Sequence, residues 1–204
     1  MKLTAVMAMA AVMGTTMGTT AWAGESGVAN EGNERKVTVC MERGADTFTA
    51  FRAREMVSKM FAKIGVEIEW SHLNSCPADG LRISLSTITP VALLPGALAY
   101  ALPYEGTHIV VFYDRIQSAV EPETVPYLLA HVLAHEITHI LQGVNRHSAS
   151  GVMKAHWESG DFLKMRQQPL GFTEEDAMLI HQGLGAQASH RASFALIAVN
   201  SLQR

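Results

Sequence analysis

Cysteine is scarce in this chain: Cys40 and Cys76 are the only two in 204 residues. That excludes a disulfide-dense scaffold and any metal module built on four thiolates. Neither cysteine stands in a metal-binding spacing, so one disulfide is the expected pairing in an exported protein, with a free thiol as the alternative. Charge of either sign is also thin, with 16 Lys and Arg against 19 Asp and Glu and a net charge of −3. This excludes the basic surface of a nucleic-acid binder and a polybasic patch for anionic lipid. Beyond the first two dozen residues no apolar run is long enough to cross a bilayer, and the run from Ala192 to Val199 is far too short. Internal repeats are absent as well.

What is present begins with a targeting pattern. Lys2 opens it, an Ala- and Met-rich apolar run follows from Leu3 to Met13, and Ala21-Trp22-Ala23 closes it as a small-x-small cleavage site. Residues 1–23 are therefore expected to be a signal peptide, with an uncleaved anchor as the alternative. The polar, Gly-rich residues 24–36 read as a flexible leader. Residues 37–204 are long enough for one domain with its own core. Export to the periplasm or the cell exterior is the expected localisation, with no membrane association after cleavage.

Hydrophobic patterning gives the order of elements. Val37 to Met41 alternates as a strand. Asp46 or Thr47 caps a helix running to about Ile64, with Phe48, Phe51, Met56, Met60 and Phe61 as its apolar stripe and Gly65 as its stop. Val66 to Trp70 and Leu81 to Leu85 are strands. Ala97 to Leu102, flanked by prolines, suits a sheet edge. His108 to Tyr113 is almost wholly apolar and reads as a central strand. A helix follows from about Val125 to Gln142, then an irregular stretch to about Trp157. Thr173 and Asp176 form a capping box for a last helix that reaches about Gly183.

The chemistry lies on the helix ending at Gln142. His135 and His139 are four residues apart and share one helical face, where two imidazoles can meet one ion. Glu136, beside the first histidine, stands where the H-E-x-x-H pattern puts a general base. His131 lies one turn earlier, but shifting the pattern to it would put Val132 at the base position; a packing or supporting role is expected. Catalytic zinc takes three protein ligands and leaves one position open. His147 is the favoured third ligand, because Gly143 lets the chain leave the helix and turn back. Glu158, Glu174, Glu175 and His156 are the alternatives. Tyr104, Tyr113 and Tyr127 could assist but are better explained as core or rim aromatics.

These residues resemble the metzincin zinc peptidases, whose motif is H-E-x-x-H-x-x-G-x-x-H followed by a methionine turn. His135, Glu136 and His139 match the helical part. Gly143 comes one residue late and His147 two, giving the variant H-E-x-x-H-x-x-x-G-x-x-x-H, and Met153 follows as the methionine of the turn. The run from His147 to Met153, H-S-x-x-G-[IV]-M, also resembles that of a group of short exported bacterial proteins with a similar helix. The resemblance implies an α/β (α+β) fold: a mixed five-stranded sheet, two main helices of which one is the active-site helix, and a short irregular C-terminal part with one helix. It also implies an antiparallel edge strand at Ala97 to Leu102 that pairs with substrate. The implied activity is zinc-dependent endopeptidase action on a peptide or protein substrate, with Zn2+ on His135, His139 and His147 and Glu136 as base. The alternatives are a non-catalytic, exported zinc-binding protein that captures peptides, a gluzincin-like peptidase with Glu158 as third ligand, and an ordinary secreted domain with a chance motif.

Overall fold

A computed structural model describes residues 35–102 and 107–202, without the side chains of residues 191, 192 and 194–202. The expected signal segment 1–23, most of the expected leader and Tyr104 lie outside the described residues. Five strands and five α-helices follow one another as β1 (Arg35–Met41), α1 (Thr47–Ala62), β2 (Val66–His72), β3 (Leu81–Ser86), β4 (Ala99–Ala101), β5 (His108–Phe112), α2 (Tyr113–Ala119), α3 (Val125–Gln142), α4 (Ser159–Gln167) and α5 (Glu174–Leu202). The first strand takes in Arg35 and Lys36, which pair with Val66 and Glu67, two residues before the expected Val37.

The sheet has the order β2-β1-β3-β5-β4. The first four strands are mutually parallel and β4 runs antiparallel to β5 at the edge. This is the mixed five-stranded sheet expected. Parallel neighbours need a crossover, and α1 supplies it between β1 and β2. A disulfide between Cys40 and Cys76 ties β1 to the turn after β2. The strand from His108 lies inside the sheet, between β3 and the edge strand, as expected, and α3 packs against it.

Helix α1 starts where the sequence predicts: the Asp46 side chain accepts from the Thr49 N–H at 2.9 Å. Gly65, with φ +71°, turns the chain out of it. Its buried face keeps Met60 and Phe61 of the expected stripe, with Met56 partly buried beside them. Thr49, Ala53, Val57, Met60 and Phe61 point inward, whereas Phe48 and Phe51 are 67% and 62% exposed.

Helix α3 is the centre of the molecule, with every residue except Tyr127 buried. A helix apolar on all sides is stable only when other elements surround it. Here α1, α2, α4, α5, β4 and β5 all touch it. Pro126 sits in its first turn, where no N–H is needed, and Gly143 ends it in the left-handed conformation with φ +67°.

Two helices depart from the expected pattern. Residues 113–119 form α2, anchored by buried Tyr113 and Ile116. Residues 159–167, between the expected irregular stretch and the expected last helix, form α4; Glu158 caps it reciprocally with Asp161. The last helix keeps the expected Thr173–Asp176 capping box but continues to Leu202, well past Gly183. The C-terminal part thus holds two helices rather than one. No described helix is long and apolar enough to cross a membrane.

Candidate metal centre

Three imidazoles converge at the C-terminal end of α3. Ligand atoms of His135, His139 and His147 all lie within 4.8 Å of one another, and this is the one such group among the described residues. His135 and His139 owe their shared face to helical spacing, and their Nε2 atoms are 3.0 Å apart. His147 arrives from the loop beyond Gly143 and is exposed on the cleft side.

The tautomers follow from the partners. His135 Nδ1 faces the carbonyl of Val152 at 2.9 Å, and His139 Nδ1 faces that of Val144 at 3.2 Å. A carbonyl oxygen only accepts, so each Nδ1 must carry the proton. Burial lowers the pKa of His135 to about 4 and also holds His139 and His147 below the ordinary imidazole value. All three rings are therefore neutral at pH 7. For His135 and His139 this leaves two Nε2 lone pairs facing each other, an arrangement that repels unless a cation lies between them. Neutral imidazoles with their second nitrogens fixed by carbonyls are the donor set of a zinc site, so these residues fit Zn2+.

The loop carrying His147 is a tight turn. The Ser148 N–H donates to the Met153 carbonyl at 2.7 Å, closing it. Gly151 has φ +78°, and a Cβ there would stand 2.4 Å from the Gly171 carbonyl oxygen. Only glycine fits. The adjacent Val152 N–H donates to that same oxygen at 2.9 Å while its carbonyl holds His135. Met153 follows directly and is fully buried.

Glu136 lies beside His135 and is buried, with no basic partner among the described residues; burial pushes its carboxyl up to about 7. It opens onto a cleft of about 640 Å³ whose floor is α3, with the chain from Pro95 to Ala101 as one wall and Asn145, His147 and residues 154–157 as the other. The first wall includes β4, so the free edge strand of the sheet borders the histidines. Trp157 stands edge-on to the His135 ring at 5.5 Å.

The other sequence candidates go elsewhere. His131 uses both nitrogens: Nδ1 donates to the Tyr127 carbonyl at 2.7 Å and Nε2 accepts from the Leu170 N–H at 3.0 Å. Burial takes its pKa to about 4, so it is a neutral structural residue. Glu158 is occupied in capping α4. Glu175 pairs with Arg146, and Glu174 lies in the first turn of α5. His156 lines the cleft but is outside the ligand group. Tyr113 is buried in the core.

Sequence reasoning missed the wall-builders. Arg115 donates to the carbonyls of Pro90, Leu93, Leu94 and Ala97 at 2.5–3.1 Å and lies over the Phe112 ring. Asp114 accepts from the N–H and hydroxyl of Thr89. The pair fixes the loop that leads into β4; an ion-carrying pair directly after an apolar strand was the available signal.

No family model matches the sequence, and no curated protein matches it either. Solved structures share the fold. An archaemetzincin from Methanopyrus kandleri superposes with a TM-score of 0.54 at 14% identity, covering 74% of this chain and 97% of that one. A zinc-dependent peptidase from Methanocorpusculum labreanum superposes with a TM-score of 0.50 at 10% identity, covering 71% of this chain and 99% of that one. The chain thus shares the fold of these two structures.

Proposed function

We propose that the protein is an exported zinc-dependent endopeptidase of the metzincin kind. One observation carries this reading: three neutral imidazoles meet beside a buried, unpaired Glu136 in a cleft walled by the free edge strand. His135, His139 and His147 are the ligands. Zn2+ held there supplies a Lewis acid that brings water into the range of deprotonation near neutral pH and polarises a peptide carbonyl. Glu136 accepts the proton of the attacking water and returns it to the departing amine. The backbone of β4 binds an extended peptide as an added strand and so aligns the scissile bond with Glu136. Met153 fills the turn beneath the histidines. Export rests on the pattern in residues 1–23.

The engagement of Glu158 in capping α4 weighs against the gluzincin-like alternative. Glu136 weighs against a purely binding protein, since capture of peptide needs no buried base. The experiment is cleavage of casein and a mixed peptide library by the purified protein. Activity should vanish with a chelator and return with Zn2+. A zinc-loaded protein that cleaves nothing would overturn the peptidase reading and favour peptide capture.

A further inference from the structure

His135 and His139 sit on a buried helix and need no further support. His147 is different: it is exposed and lies on a loop two residues longer than the spacing of the motif it resembles. Both of its chain neighbours are held by one residue. The Asp176 Oδ1 accepts from Arg146 Nη1 at 2.9 Å and from Ser148 Oγ at 2.6 Å. Its Oδ2 accepts from the Thr173 N–H at 3.0 Å, and its backbone N–H bonds back to the Thr173 hydroxyl at 3.1 Å. The Asp176 carbonyl accepts from Gln142 Nε2, the last residue of α3, at 3.3 Å. Asp176 itself is fully buried. A helix-capping acid needs only the Thr173 bonds; the bonds to residues 146 and 148 do nothing for the cap.

We propose that Asp176 is a positioning residue for His147: it clamps both neighbours of that histidine to the start of α5 and the end of α3. The clamp sets where the imidazole stands relative to His135 and His139. It compensates for the longer loop, since a ligand on free chain would give up conformational entropy on every binding event. Partners that orient a metal ligand typically contribute about 10–100-fold to metal affinity. This inference rests on the metal-site reading above.

The test is zinc affinity of the full chain, measured by competition with a chromophoric chelator, together with the visible absorption of the Co2+-loaded protein. Asp176→Ala is the direct variant. Because Asp176 is buried and also caps α5, the double variant Arg146→Gln/Ser148→Ala accompanies it and leaves the cap intact. Both should bind Zn2+ about 10–100-fold more weakly, with a Co2+ spectrum altered in intensity. In a His147→Ala background, neither should weaken binding further, because the ligand they position is gone. Unchanged affinity in the double variant would overturn the proposal, and so would an equal loss with His147 absent. If Asp176→Ala fails to fold, the double variant decides alone. Failure of the wild-type protein to bind zinc would sink the metal site itself, which is a separate and distinguishable result.

Discussion

Gly183 lies so close to Leu141 that a Cβ on it would stand 1.8 Å from the Leu141 carbonyl oxygen. Helix α5 therefore meets the histidine-bearing helix α3 backbone to backbone, two residues before Gly143. An exposed helical Gly→Ala change normally gains up to about 1 kcal/mol. Here the sign should invert: Gly183→Ala must push α5 off α3, at a cost of about 1–3 kcal/mol. Urea denaturation of the metal-free protein reads this directly, and a stabilised variant would contradict the packing.

His131 predicts a pH dependence of stability. Its folded pKa, about 4, lies below the ordinary imidazole value of 6.5. The unfolded chain therefore takes up a proton that the folded chain refuses. The contribution is fully present above pH 6.5 and is lost as pH falls from there towards 4. Between pH 7.5 and pH 5 it amounts to about 2 kcal/mol. A His131→Asn protein, less stable at pH 7.5, should lose about that much less than wild type on acidification, measured with metal chelated. Parallel losses in the two proteins would show that His131 is not buried neutral.

The third ligand separates two assignments. His147→Ala should weaken Zn2+ binding by more than the about 100-fold that a supporting residue contributes. Glu158→Ala should leave zinc affinity unchanged and cost only about 1 kcal/mol of stability through the lost cap on α4. The reverse pattern, measured by chelator competition, would move the site to Glu158.

Arg115 should affect binding more than chemistry. Its four carbonyl bonds fix the loop of residues 90–97, part of which walls the cleft. Arg115→Ala should raise KM for peptides by roughly tenfold, about 1.4 kcal/mol, with a smaller change in kcat. An equal fall in kcat at unchanged KM would place the loop in the reaction rather than in substrate binding.

Much of this arrangement is legible in the sequence because it depends on short-range rules. Asp46, Gly65 and Gly143 mark helix ends through local backbone chemistry, and the four-residue interval of His135 and His139 sets their shared face. The edge strand was legible through its flanking prolines. What depends on packing was not. Phe48 and Phe51 look like core residues by size, yet α1 buries Thr49, Ala53 and Val57 and leaves both rings exposed. Gly183 looks like a helix stop, yet it is the contact point that lets α5 continue across α3. Helix α4 carries little hydrophobic patterning and is held by the Glu158–Asp161 capping box and by Lys154 bonded to Asp161 at 2.5 Å, a tertiary bond invisible to periodicity. The Thr173–Asp176 box was readable as a cap; its second use, on both sides of His147, needed the folded chain.

The central claim is that Glu136 is the base of a zinc peptidase. The most direct measurement is zinc content and peptide cleavage, side by side, for wild type and Glu136→Gln. The glutamine keeps size and burial but cannot accept the proton. One zinc per chain is expected in both proteins, with the variant cleaving about 100-fold or more slowly than the wild type. A Glu136→Gln protein that cleaves as fast as wild type, or a wild-type protein that takes up no zinc, would contradict it.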